Sequence, residues 1–150
     1  MTNEFLRHTL ATIGYRFQKA VSNSNEDFSD FKIGNNTRTP NEIICHMYEV
    51  LSATRIFILE EKRNKEQSEK LELGLEIDRF NSELKSLDNV LAIKELEINY
   101  SKRLLQGPFS DVLTHIGQIS MLSGLNGNPI KGEDFSSASI ITGINFKSEK

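Results

Sequence analysis

Residues 73–91, LGLEIDRFNSELKSLDNVL, decide the fold class. Leu73, Ile77, Phe80, Leu84, Leu87 and Leu91 recur at alternating steps of four and three. An α-helix turns once in about 3.6 residues, so these six side chains lie on one face and the charged residues between them lie on the other. Such a face needs a partner, and this regular four-three spacing is that of a bundle seam. Gly74 weakens the helix only slightly.

Upstream, the second helix has the clearest start in the chain. Thr39 is a suitable N-cap, Pro40 suits the first helical position, and Glu42 lies three residues after the cap. That combination is a capping box. Ile43, Ile44, Met47, Val50, Leu51, Thr54 and Ile58 then follow on one stripe. The charged run from Glu60 to Glu66 reads as a solvated helix end and loop. A first helix carries Leu6, Leu10, Ile13, Phe17 and Val21 at the same spacing and ends in Ser22-Asn23-Ser24-Asn25. Residues 22–39 form a connection longer than helix pairs usually need, so it is functional or a crossover. Phe28, Phe31 and Ile33 mark it as a strap packed on the body.

Downstream, Leu96-Glu97-Ile98-Asn99-Tyr100 alternates apolar and polar residues and fits either extended chain or a last helical turn. Gln106-Gly107-Pro108 is expected to break the chain and start a fourth helix. Phe109, Val112, Leu113, Ile116, Ile119 and Ser123 make its stripe, and Asn126-Gly127-Asn128-Pro129 stops it. The remainder reads as an irregular C-terminal strap. The expectation is one all-α domain over 1–150: a four-helix bundle with a long connection between its first two helices.

Composition sets bounds on function. The net charge is −3, with Lys and Arg scattered among acidic residues, which gives no footprint for nucleic acid. One cysteine, Cys45, excludes an internal disulfide, and its place on the second helix suits a small buried residue. No signal-peptide pattern opens the chain, and no apolar run approaches the roughly 18 residues of a membrane span. A cytoplasmic protein is expected.

Chemistry concentrates on two helices. Asp111 and His115 are four apart and share a face of the fourth helix; His46 and Glu49 are three apart on the second. Both histidines fall at the margin of an apolar stripe. His46 lies about seven residues into its helix, and Asp111 and His115 about four and eight into theirs, so the three meet if the two helices run parallel. An up-down-up path would make them so. Two imidazoles and a carboxylate would suit Zn, Ni or Fe(II) better than Mg or Ca. Other readings fit the same residues. Asp111 can serve the positive end of its helix dipole, Glu49 can be solvated, and the group can be a metal-free hydrogen-bonded cluster. His8 lies opposite the stripe of the first helix, where surface exposure is expected; with Tyr15 it could reach the mouth of the site only if that helix faces two neighbours. Met121, Leu122 and Leu125 fall off the main stripe and suggest a second contact face, hence a homodimer.

Leu104-Leu105-Gln106-Gly107-Pro108 running into Asp111-Val112-Leu113-Thr114-His115-Ile116-Gly117-Gln118-Ile119 resembles the last core helix of the DinB-like superfamily, where a His-x-x-x-His pair commonly continues as His-x-Gly-Gln. Arg38 to Met47 resembles that family's second helix, which supplies the other ligand histidine. Phe5 to Leu10 resembles the opening helix of an uncharacterised branch. The resemblance covers most of the chain and implies a four-helix bundle with a long first connection. It implies metal ligation by His46 and His115, with Asp111 where the family usually has a third histidine. That departure fits a two-His-one-carboxylate site or a member without its metal. Relatives include metal-dependent transferases and isomerases using low-molecular-weight thiols. The expected functions are therefore a thiol S-transferase or hydrolase, with Gln118 or His8 orienting a substrate, or a non-catalytic homodimeric bundle with a stress-associated or ligand-binding role.

Overall fold

A computed structural model describes residues 2–62 and 67–143, and among these residues the chain is helical with no strand. Helix α1 spans Glu4–Val21, α2 Pro40–Ile58 and α3 Leu73–Ile93. Helix α4, Ile98–Leu104, continues through a π-helical turn, Leu105–Phe109, into α5, Ser110–Leu125. The stripes read from the sequence face inward. Phe17, Phe80 and Phe109 are fully buried at the centre, with the Phe17 and Phe80 rings 4.5 Å apart.

The capping box of α2 forms as expected. Thr39 Oγ1 accepts the Glu42 N–H at 3.2 Å, and Glu42 Oε1 accepts the Thr39 N–H at 2.9 Å. At the opposite end of the bundle Asn3 ties α1 to the α3–α4 corner. Its amide donates to the carbonyls of Leu91 and Lys94, and its carbonyl accepts the Leu96 N–H. One side chain thus satisfies three backbone groups at the corner between two helices.

Gln106-Gly107-Pro108 does not break the chain. Leu104 and Phe109 are both buried although five residues apart, a step too long for one α-helical turn. The π turn absorbs the extra residue: Leu105 carbonyl accepts both the Ser110 N–H and its hydroxyl, the latter at 2.6 Å. Pro108 has no N–H to lose, so it fits where the regular ladder is interrupted. Glu97, whose carboxylate accepts the N–H groups of Asn99 and Tyr100, starts this rod well upstream of the expected position.

The expected helix directions are also corrected. Asn41 donates to Leu71 carbonyl near the start of α3, Arg55 pairs with Glu83, and Lys94 reaches Ile58 carbonyl at the far end. Helices α2 and α3 are therefore parallel. Arg7 near the start of α1 pairs with Asp88 near the end of α3, so α1 runs antiparallel to both. Phe57 packs on Tyr100 while His46 meets His115, which makes the α4–α5 rod antiparallel to α2. Leu73 thus starts α3 at the end of the bundle where α2 also starts. The crossover is the connection from α2 to α3. Contacts run α1–α3–α2–α5 and back to α1, so residues 22–39 instead cross one end of the bundle diagonally. There Phe28 is buried and Asn41 N–H bonds Ser29 carbonyl.

The C-terminal strap lies along α1. Glu133 accepts from Tyr15 and pairs with Lys19, Phe135 lies under Arg16, and Thr142 meets His8.

Candidate metal centre

His46, Asp111 and His115 meet where α2 crosses the middle of the α4–α5 rod. Because the helices are antiparallel, their heights match by counting from the shared end. His46 precedes Ile58 by twelve residues, and Asp111 follows Ile98 by thirteen, one of them absorbed in the π turn. The sequence brought the right residues together by the wrong path: the missing upstream length of the rod replaces the parallel packing that was expected.

Asp111 Oδ2 stands 3.4 Å from His115 Nε2 and 3.6 Å from His46 Nε2. One donor atom from each of the three residues lies within 4.8 Å of the others. Good N–H···O bonds span about 2.7–3.2 Å, so neither imidazole is well hydrogen-bonded to the carboxylate. A tetrahedral ion with bonds near 2.1 Å separates its ligand atoms by roughly 3.4 Å. The two His–Asp separations match that edge.

Each of the three residues has a different setting. His115 is 10% exposed, and its Nδ1 lies 2.8 Å from Gln118 Oε1. An amide oxygen only accepts, so Nδ1 donates to it, and Nε2 is the ring nitrogen that faces Asp111. The two imidazole rings stand edge to face, 4.9 Å apart. Burial, then the charge of Arg38 and the neighbouring His115, push the His46 pKa below its ordinary value; Asp111 opposes them less strongly. His46 is therefore neutral at neutral pH, as a ligand must be. Asp111, with 46% of its side chain exposed, leaves the centre open to solvent.

Gln118, read with Glu49 and His8 as a possible supporting residue around the three, lies against His115 Nδ1. Glu49 lines the same cavity of about 670 Å³ as His46 and Cys45, and its carboxylate accepts the Ser68 N–H at 3.2 Å. His8 is placed away from the centre: its exposed ring pairs with Thr142 Oγ1 at 2.8 Å. Tyr15 bonds Glu133 on the same outer side of α1. Cys45 is half-buried and accepts a hydrogen bond from Arg79; burial raises its thiol pKa. Leu122 belongs to the core, whereas Met121 and Leu125 are exposed. Arg38 is the neighbour that periodicity missed. It sits in the connection just before the Thr39 cap, where no helical spacing marks it.

Among the described residues no helix is long and apolar enough to cross a membrane. No family model matches the chain, and no curated protein or solved structure is found similar to it.

Proposed function

We propose that this chain is a DinB-like, metal-dependent protein in which His46, Asp111 and His115 hold one divalent transition-metal ion, Zn, Ni or Fe(II). Its activity is thiol S-transfer or hydrolysis on a small-molecule substrate. The observation that carries this reading is the grouping of one donor atom from each of the three residues within 4.8 Å, with the two His–Asp separations long for hydrogen bonds and right for ligands. Gln118 supports it by fixing the tautomer that turns a lone pair inward, the usual outer partner of a ligand histidine. A bound ion of this kind lowers the pKa of a coordinated water or thiol.

The chain's own residues do the remainder. His115, held by Gln118, keeps its lone pair at a fixed position. Burial and Arg38 keep His46 unprotonated. Asp111 supplies one negative charge on the solvent side, and three protein ligands leave room for an exchangeable one.

Elemental analysis of untagged protein purified without chelator tests the reading. Wild type should carry about one ion per chain, and His46→Ala and His115→Ala should carry none. Asp111→Asn should bind the ion more weakly while remaining folded. A wild-type chain that takes up no Zn, Ni or Fe on incubation would sink the metal reading. The non-catalytic homodimeric bundle would then lead, with the exposed Met121 and Leu125 on α5 as its contact face.

A further inference from the structure

Two cavities meet at Arg38 and differ in character. One is the polar cavity of His46, whose walls include Glu42, Glu49 and Glu76. The other, about 470 Å³, runs between the first connection and α5 and is lined by Ile33, Ile43, Met121 and Leu122, with Gln118 on its metal-centre side. Arg38 lines both.

Arg38, like the exposed Arg103 of α4, lacks the partner that the other described arginines have, and of these two Arg38 alone lines a described cavity. Arg7, Arg55 and Arg79 are each engaged by a buried carboxylate: Asp88, Glu83 and Glu76. Arg16 lies 4.0 Å over the Phe135 ring. Among the described residues Arg38 makes no hydrogen bond, ion pair or ring contact, although its charge acts on His46. It stands as an exposed, unpaired cation at the junction of an apolar groove and the candidate metal centre.

We infer that Arg38 and the Ile33–Ile43–Met121–Leu122 groove form a binding site for a small carboxylic acid with a medium-length apolar chain. The carboxylate pairs with the Arg38 guanidinium, and the chain lies along the groove. A planar carboxylate matches the two-pronged guanidinium better than it would a point charge. On the far side of Arg38 the polar cavity is lined by carboxylates that already have partners, Glu42 in the capping box and Glu76 with Arg79, which leaves the guanidinium itself open to an anion. The groove volume is in the range that holds small ligands. Gln118 borders the groove and holds His115, so a ligand bound there has its polar end beside the three donor residues. The proposal that this ligand is the substrate rests on the metal reading; the binding site itself does not.

Calorimetric titration with octanoate, and with octanol as its uncharged counterpart, tests the site on both chelator-treated and zinc-loaded protein. Arg38→Met should weaken octanoate about tenfold or more, the loss of one charge-assisted pair, and leave octanol unchanged. Met121→Glu should weaken both. Both positions are exposed, so neither variant threatens the fold. Equal octanoate affinity for wild type and Arg38→Met, or no octanoate binding to wild type, overturns the site. Unchanged affinity in Met121→Glu overturns its apolar half. Failure of the chain to take up zinc removes the metal reading alone, because the titrations of the metal-free protein still compare Arg38 with Met.

Discussion

Helix α2 offers polar side chains to two neighbours, and the two seams close differently. Against α3, Arg55 meets Glu83 at 2.6 Å, while Arg79 reaches both Glu76 at 2.6 Å and the sulfur of Cys45. Against α5, His46, Asp111 and His115 stop at 3.4 and 3.6 Å. Burying a polar group without a partner is costly, so a polar seam serving stability closes to hydrogen-bond distance. The α3 seam does this. The α5 seam leaves three basic or anionic groups pointing at one another across a gap. One seam is thus closed by ion pairs, and the other leaves a half-exposed group of three residues that could hold a metal ion.

The contrast breaks most visibly at Glu83. Glu83→Ala strands Arg55 in a half-buried setting and should cost about 3 kcal/mol in urea unfolding, with or without zinc present. A loss under about 1 kcal/mol would make the α3 seam equivalent to a solvated surface pair. Gln118→Ala acts on the other seam. It should weaken metal affinity about 10–100-fold in a competition titration with a chelating dye. The metal-free stability should move by less than about 0.5 kcal/mol, because Gln118 is exposed. Unchanged affinity would mean that His115 needs no outer partner.

The smallest effect concerns protons. The folded pKa of His46 is lowered, chiefly by burial, so its neutral form is the one the fold favours. Its contribution to stability is present above the unfolded value near 6.5 and is lost as pH falls through the lower folded value. Metal-free wild type should therefore lose stability relative to His46→Gln between pH 7.5 and 5.5. A relative gain on acidification would instead identify a protonated His46 paired with Asp111, which makes the α5 seam a loose version of the α3 seam.

Local signals were legible because they depend on neighbours in the chain. The stripes of α1, α2 and α3 follow from the helical period, and Thr39 with Glu42 announces a start that forms as read. The candidate triad was legible for the same reason on each helix: Asp111 and His115 are one turn apart, and His46 sits at a stripe margin. Pro108 misled, because it suits a helix start and also a π turn, and only the packing of Leu104 with Phe109 in one core decides between them. Glu76, Glu83 and Asp88 look like a solvated face of α3 in sequence, yet all three are buried. Arg55 and Arg7, the partners of Glu83 and Asp88, come from other helices, so no spacing within α3 reveals those two pairs, whereas Glu76 pairs with Arg79 three residues on in α3 itself.

The sequence by itself determined that four amphipathic segments would bury one face each and which side chains would stand at the margins of those faces. Periodicity is a property of the local backbone, and it survives in any arrangement of the helices. Tertiary structure alone decided that α2 runs parallel to α3 and antiparallel to α5. It also decided that His46 lies level with Asp111 and His115, and that Arg38 stands beside them. Those facts depend on how the connections join the helices and on the single residue absorbed by the π turn. Connections carry no period, and the inserted residue matters only once distant faces must meet.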